Sequence, residues 1–379
     1  SVYLPLSLSL SHTMESDSKQ SFTSPNRSLS ILRENIASLV LPLHKKIPRV
    51  SAHEMSALSF HRDYVSRNTP VIITDAIGSW PAMKLWDQDL DYLTQKLGKQ
   101  EVTVDFTPDG RGDSLTEDGK VFVEPSKHKL PFQTFAQLLK SRKKGLVTYL
   151  QHQNSNFSTE FKGLKNDIQP IRFAAESFGD IEPDAVNIWI GDDRSVSSLH
   201  RDPYENMYAV IQGQKTFTLL PPTDGPYLSE QAFPAARYHL DKIQVSKLGE
   251  DYNASTCIDF SKEFKIRQDD DKSQVHWIPV DPDYPNRINR HAPCLKHAKA
   301  HLISPIRCVV NRGEVLYLPS SWFHQVSQTQ LTIAVNYWYD MHYGLTWSLL
   351  QYLEDSVRDR AGIDDDAGDD DEKKGDKIR

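Results

Sequence analysis

The sequence predicts a mainly β protein with flanking helices around a jelly-roll-type core. After residue 147, short segments rich in β-branched and aromatic residues follow one another closely, with glycine or proline between most of them. This pattern is typical of a β-sandwich or barrel. Segments with helical periodicity lie on both sides of it. The 379 residues, 38% of them hydrophobic, are enough for one large domain or two ordinary ones.

The N-terminal part is predicted to be mixed. Residues 1–30 are rich in serine and other polar residues, so we expect them to be disordered. Residues 31–146 are expected to form a helical and mixed region that packs on the core. Its predicted elements are a helix over 30–45, a strand over 70–74, a turn and helix over 80–97, a strand over 101–106 and a helix over 132–139.

The jelly-roll core is predicted to span 147–343. Its predicted strands cover 147–151, 186–190, 195–200, 207–211, 216–220, 307–310, 314–318 and 331–338. A polar, proline-punctuated insertion over 223–300 interrupts them, with Asp269, Asp270 and Asp271 in a solvated loop. A helix over 344–361 and an acidic tail over 362–379, expected to be disordered, complete the chain.

Charge and cysteine content exclude several classes of protein. The formal net charge is -7, and no basic stripe indicates direct nucleic-acid binding. No stretch is apolar and long enough to cross a membrane. Three cysteines, Cys257, Cys294 and Cys308, are too few for a disulfide framework or a four-cysteine zinc site. They favour a reducing compartment, so we expect the protein in the cytoplasm, the nucleus or both.

A candidate metal site begins with His200 and Asp202. Residues i and i+2 of a strand point to the same face, so these two side chains can bind one ion. His324, on a later segment, would complete a two-His-one-carboxylate triad. That triad leaves coordination positions open and is typical of non-haem Fe(II) oxygenases. The alternative for each histidine is a surface position or a buried bond to a carbonyl group, because a separation of 124 residues in sequence does not by itself show contact.

Lys215 lies on a predicted core strand. Lysine is seldom fully buried unless it is paired, and the carboxylate of an acidic co-substrate is one partner that would explain its position. The alternative is a lysine that faces outward. Tyr149, Ser197, Asn206 and Asn336 are uncharged hydrogen-bonding residues on neighbouring segments. Each is either a helper at this site or a core polar group with its own partner.

Five segments together make the sequence similar to the Jumonji-C (JmjC) family of Fe(II)- and 2-oxoglutarate-dependent oxygenases. They are 183–191, 200–206, 276–282, 316–324 and 333–340. The likeness extends over about 30–358. Within the family, the chain most resembles the small group of lysyl hydroxylases that act on developmentally regulated GTP-binding proteins.

The resemblance implies a double-stranded β-helix (jelly-roll, cupin-like) core, and it implies Fe(II), 2-oxoglutarate and O2 as the reactive groups. Iron would be bound by His200, Asp202 and His324. Lys215 would pair with the distal carboxylate of 2-oxoglutarate, with helpers at the positions Tyr149, Ser197, Asn206 and Asn336. Serine at 197 stands where threonine is common in the family.

Several functions fit these observations. The first is a protein hydroxylase that acts on a side chain of a soluble protein, with lysine as the expected target and a GTP-binding protein as one candidate. The second is a histone lysine demethylase with the same site, although three cysteines are too few for the usual zinc-based reader domains. A peptidase and a non-catalytic cupin-like module are further alternatives. The final helix could form a homodimer through Leu345, Leu349, Leu353 and Val357, or it could pack on its own core.

Overall fold

The structure is a computed structural model, and it describes residues 31, 43, 46–86, 89–153, 155–179, 182–241, 259–268, 273–283 and 303–361. The predicted disordered segments over 1–30 and 362–379, and the loop of Asp269, Asp270 and Asp271, lie outside these residues. The predicted helix over 30–45 lies almost wholly outside them.

Strands make up most of the regular structure in the described part of the chain. They are β1 (Arg49–Ser51), β2 (Val71–Thr74), β3 (Glu101–Thr107), β4 (Arg111–Gly112), β5 (Ser114–Leu115), β6 (Phe122–Glu124), β7 (Ser126–Pro131), β8 (Val147–Tyr149), β9 (Ala185–Gly191), β10 (Val196–His200), β11 (Tyr204–Gln212), β12 (Gln214–Leu220), β13 (Gln231–His239), β14 (Lys265–Gln268), β15 (Gln274–Trp277), β16 (Ile306–Asn311), β17 (Val315–Leu318), β18 (Phe323–Gln328) and β19 (Thr332–Asp340).

The helices flank these strands. They are α1 (Ala57–Phe60), α2 (Ala82–Leu85), α3 (Asp91–Leu97), α4 (Phe132–Ser141), α5 (Asn156–Thr159), α6 (Arg172–Ser177) and α7 (Leu345–Ala361). Short 3-10 turns occur at Ala52–Glu54, Lys162–Asp167, Pro222–Tyr227 and Phe260–Glu263, and a π-helical turn occurs at His61–Val65. Among the described residues, we find no helix with the length and apolarity that a membrane span requires.

Two sheets form the core. The larger has the order β1-β2-β17-β11-β19-β9, and the smaller has the order β16-β12-β18-β10-β4. Apart from the parallel pairs β1–β2 and β4–β10, neighbouring strands in both sheets are antiparallel. Strands that are distant in sequence, such as β10 and β18, therefore become direct neighbours, which is how a jelly roll brings remote residues together.

The alternation of side chains along β11 shows how the sequence builds two apolar layers. Met207 and Ala209 belong to the large cluster that also contains residues of the N-terminal helices. Tyr208 and Val210 belong to a second cluster together with residues of the smaller sheet. Because successive residues of a strand point to opposite faces, β11 packs against helices on one side and faces the interior between the two sheets on the other.

The turn between β11 and β12 depends on Gly213. Its φ is +78°, and a Cβ atom there would lie 2.4 Å from the carbonyl oxygen of Leu331. Glycine is the residue that adopts such a conformation at no steric cost. The turn fixes the register of β12, which carries Lys215, against its neighbours β16 and β18.

Smaller sheets lie beside the core. One has the order β7-β3-β8, and the other has the order β14-β13-β6-β5 with β15 also paired to β13. The strands β13, β14 and β15 belong to the 223–300 insertion, for which the sequence predicted a polar, proline-punctuated segment but no particular strands. All four β14 positions and two of the four β15 positions are exposed, so these strands contribute little to the core. They are held by pairing with each other and with β6.

Candidate metal and co-substrate site

His200, Asp202 and His324 meet at one end of the space between the two sheets. In the antiparallel pair of β10 and β18, His200 lies directly opposite His324, and residues so placed have their side chains on the same face. Asp202 follows β10 in the connection to β11. Its Oδ2 atom lies 3.8 Å from Nε2 of His200 and 3.7 Å from Nε2 of His324. One ligand atom from each of the three residues lies within 4.8 Å of the others.

Hydrogen bonds orient both imidazoles. Nδ1 of His200 lies 2.6 Å from the carbonyl oxygen of Ser198, and Nδ1 of His324 lies 3.0 Å from that of Trp322. A carbonyl oxygen only accepts, so each Nδ1 carries a proton, and Nε2 is the ring nitrogen that faces the cluster and can bind a metal ion. Burial, and secondarily the nearby His200, lower the pKa of His324 to about 4, which keeps this imidazole neutral.

This set of donors fits a metal ion. Two neutral imidazole nitrogens and one carboxylate oxygen form the two-His-one-carboxylate set of non-haem Fe(II) sites. Bonds from Nδ1 to backbone carbonyls are the outer contacts that metal-bound histidines usually make. The distances of 3.7 and 3.8 Å between donor atoms are too long for hydrogen bonds. The three side chains could therefore hold one divalent cation.

Lys215 marks the other end of the site. It is 1% exposed, and its Nζ atom donates a hydrogen bond to the hydroxyl of Tyr149 at 3.0 Å. Burial lowers its pKa to about 7, and no carboxylate among the described residues offsets this effect. A buried cation with a neutral partner is costly. The far carboxylate of a bound dicarboxylate would supply the missing negative charge.

Tyr149 connects Lys215 to the cavity. Its hydroxyl also hydrogen-bonds to Ser197, while burial raises the pKa of Tyr149 and keeps it protonated. Gly191 allows β9 to approach this ring, because a Cβ atom at Gly191 would lie 2.6 Å from Cδ2 of Tyr149. The phenol is thereby held as a hydrogen-bonding group at the lysine end.

A chain of side-chain amides lines the wall between the two ends. Nε1 of Trp189 donates to Oδ1 of Asn336 at 2.9 Å, and Nδ2 of Asn336 donates to Oδ1 of Asn206 at 3.2 Å. Asn336 is fully buried, and its two bonds fix which way its amide points. The two asparagines therefore form a preorganised polar strip on β11 and β19.

These groups surround a cavity that opens to solvent. Its lining residues are Tyr149, Gln153, Trp189, Ser197, His200, Asp202, Asn206, Tyr208, Phe217, His324, Val326, Asn336 and Trp338. All the site residues predicted from the sequence line it except Lys215, which contacts its wall through Tyr149. The structure thus brings the eight predicted residues to a single site.

The apolar and aromatic part of the lining was not predicted from the sequence. Four of these residues lie two positions after a residue that was predicted for the site: Tyr208, Phe217, Val326 and Trp338. The period of two along a strand would have found them. Trp189 is likewise two positions after the buried Asn187. No comparable signal points to Gln153.

Comparison with known proteins agrees with this architecture. The family described as "Cupin-like domain" matches residues 57–345. The chain is 40% identical over 339 residues to "JmjC domain-containing protein E" of Dictyostelium discoideum, which covers 83% of this chain and 89% of the relative. It is 40% identical over 322 residues to "Lysine-specific demethylase JMJ32" of Arabidopsis thaliana, and the alignment covers 83% of this chain and 87% of the relative. It is 36% identical over 334 residues to "Bifunctional peptidase and (3S)-lysyl hydroxylase JMJD7" of Homo sapiens, and the alignment covers 88% of this chain and 94% of the relative.

The fold and the His-Asp-His cluster define a cupin-like protein with a candidate metal site. The chain belongs to the cupin-like domain family and, within it, to the JmjC oxygenases, which use Fe(II) and 2-oxoglutarate. The predicted family and the predicted jelly-roll fold are both confirmed. The similarity to a lysyl hydroxylase also supports the predicted subgroup.

Proposed function

We propose that this protein hydroxylates a lysine side chain of a protein substrate in a reaction that depends on Fe(II) and 2-oxoglutarate. One observation carries the proposal. The donor atoms of His200, Asp202 and His324 lie within 4.8 Å of one another, at a cavity whose far wall holds the buried Lys215 against Tyr149. The relative named as a (3S)-lysyl hydroxylase supports lysine as the target.

Each residue has a defined task in this proposal. His200, Asp202 and His324 hold the iron, which together with 2-oxoglutarate and O2 supplies the oxidant for a C–H bond. Lys215 pairs with the distal carboxylate of 2-oxoglutarate, and Tyr149 donates a hydrogen bond to the same group. Aromatic side chains of the lining exclude water. Positioning decides which C–H bond reacts, because a misplacement of about 1 Å costs on the order of a hundredfold in rate.

Demethylation of lysine is the second candidate, favoured by the relative named "Lysine-specific demethylase JMJ32". It would use the same metal and co-substrate but react at an N-methyl group.

Peptidase activity, which is part of the name of JMJD7, has less support in this cavity. The hydroxyl of the lining residue Ser197 is bonded to Tyr149, whereas a serine nucleophile needs an adjacent base.

Mass spectrometry distinguishes these functions. The protein would be incubated with Fe(II), 2-oxoglutarate and a developmentally regulated GTP-binding protein, or a methylated histone, with His200→Ala as the matched control. A lysine that gains about 16 Da only with the wild-type protein would support hydroxylation, because an oxygen atom stays on the positioned carbon. A loss of about 14 Da from a methylated lysine would support demethylation and contradict the first proposal.

A further inference from the structure

Arg201 lies between His200 and Asp202 in the sequence, but its side chain points to the C-terminal helix. Its Nη1 and Nη2 atoms lie 2.7 and 2.8 Å from the two carboxylate oxygens of Glu354 on α7. Glu354 is 8% exposed. Two parallel bonds between a guanidinium and a carboxylate fix orientation as well as distance. The helix α7 is therefore joined rigidly to the segment that carries two of the three metal-ligand candidates.

The same guanidinium contacts the segment of the third candidate. Its central carbon lies 5.0 Å from the ring centroid of Phe323, the residue before His324, which is within the range of a cation–π interaction. A second carboxylate, that of Glu230, lies 3.8 Å from Nη2 of Arg201. Arg201 thus contacts α7, the start of β18 and the residue before β13.

Packing around the pair is tight. A Cβ atom at Gly225 would lie 2.7 Å from Oε1 of Glu354 and 3.3 Å from Cζ of Phe323. The short helical turn Pro222–Tyr227 therefore closes directly over the ion pair. Glycine at this position lets the turn approach, and the close approach leaves little room for the carboxylate to move.

Asp202 depends on such anchors. The strand β10 ends at His200 and β11 begins at Tyr204, so residues 201–203 are outside the strand ladder. The N–H of Ser321 donates to the carbonyl oxygen of Asp202 at 3.0 Å. Together with the Arg201–Glu354 pair, this bond holds the connection in place.

We propose that Arg201 and Glu354 are positioning residues, through which the C-terminal helix sets the separation of the three metal ligands. The inference rests on the proposed metal-binding role of His200, Asp202 and His324, and it requires neither residue to touch the metal. Partners that hydrogen-bond directly to metal ligands typically change metal affinity by about 10- to 100-fold when they are removed, and we expect an effect of this order here.

The test measures metal binding without turnover. Mn(II) alone is titrated into the full chain and followed by electron paramagnetic resonance, for the wild type, Glu354→Gln and the control Glu314→Gln. Glu314 forms a similar ion pair with Arg49 at 2.9 Å, and its side chain is 13% exposed compared with 9% for Glu354. We expect the Mn(II) dissociation constant to rise about 10- to 100-fold in Glu354→Gln and to stay unchanged in the control.

Two conservative variants distinguish weaker metal binding from a folding defect. Arg201→Lys keeps the positive charge but loses the planar fork, so Mn(II) should again bind more weakly. Glu354→Asp keeps the carboxylate and should recover part of the affinity, whereas a purely structural role would affect melting temperature and not metal affinity. Wild-type Mn(II) affinity in Glu354→Gln or in Arg201→Lys would overturn this inference alone. A wild-type protein that binds no Mn(II) would overturn the metal site itself.

Discussion

The two ends of the cavity handle buried polar groups in different ways. At the imidazole end, backbone carbonyls hold each Nδ1 atom, and the donor atoms of three residues are left facing one another. At the lysine end, the fully buried Lys215 has a neutral phenol as its only hydrogen-bond partner among the described residues, and burial lowers its pKa to about 7. The hydrogen bonds of the fold already orient the imidazole end, whereas the lysine end has a positive charge that a bound carboxylate would neutralise.

The largest effect is expected at the imidazole end. His200→Ala removes one of three metal donors, so succinate release from 2-oxoglutarate should fall to background. A spectrophotometric assay of succinate, with melting temperature measured in parallel, tests this prediction. Leu58→Ala is a suitable control because Leu58 is 75% exposed on α1. Normal succinate release from a folded His200→Ala protein would rule out the assigned role.

Lys215→Met tests the lysine end. Removing the cation should raise the KM for 2-oxoglutarate by at least about 30-fold, because truncating one partner of a buried charge pair costs about 2–5 kcal/mol. Without the co-substrate, the same variant should be at least as stable as the wild type, because a buried charge without a counter-charge has been removed. Steady-state kinetics and thermal unfolding measure the two effects. An unchanged KM would separate Lys215 from co-substrate binding.

The affinity for 2-oxoglutarate should depend on pH through Lys215. The free protein has a pKa of about 7 at this residue, and pairing with a carboxylate raises it, so binding takes up a proton above pH 7. The dissociation constant should therefore increase by up to about tenfold per pH unit above 7. Calorimetric titrations with Mn(II) present, at pH 6.5 and 8.5, measure this change. Lys215→Met provides the comparison, and an equal slope in both proteins would contradict the prediction.

The same pKa also affects folding. The unfolded chain binds a proton at Lys215 up to about pH 10.5 and the folded chain only up to about pH 7. The unfolded state therefore binds more protons between these values, and the contribution of Lys215 to stability rises with pH across this window. Denaturant unfolding at pH 7 and pH 9 should show a smaller rise in Lys215→Met than in the wild type. Equal rises in the two proteins would mean that the folded state does not lower the pKa of Lys215.

The smallest effect concerns the C-terminal helix. Leu345, Leu349 and Tyr352 are 86%, 52% and 67% exposed and follow a helical spacing, while the side chains of Leu353 and Val357 lie outside the described residues. We propose that this stripe packs against a second copy of the chain. Light scattering at micromolar concentration should show a dimer that Leu349→Glu converts to a monomer and Leu58→Glu leaves intact. A monomeric wild type would exclude a stable dimer.

Local sequence patterns were sufficient for most core strands. Short runs of β-branched and aromatic residues between glycine or proline predicted the positions of β9, β11, β12 and β19. The period of two would also have given most of the aromatic lining of the cavity. The residue pattern raised the pairing of His200 with His324 only as a hypothesis, and the resemblance to a family then supported it. It depends on β10 and β18 being adjacent, which no local pattern encodes.

Long-range pairing also explains what the sequence did not predict. The insertion strands β13 to β15 have few buried residues and are held by each other and by β6. Arg201 and Glu354 are 153 residues apart, and charged residues are usually solvated, so neither suggested a buried ion pair. Both features depend on tertiary contacts and not on local propensity.

The central claim is that three remote side chains hold one metal ion beside a pocket for a dicarboxylate. Mn(II) titration of the wild type, Asp202→Ala and His324→Ala, followed by electron paramagnetic resonance, tests it most directly. We predict one tightly bound ion per wild-type chain and the loss of tight binding in each variant. Wild-type affinity in either folded variant would contradict the claim.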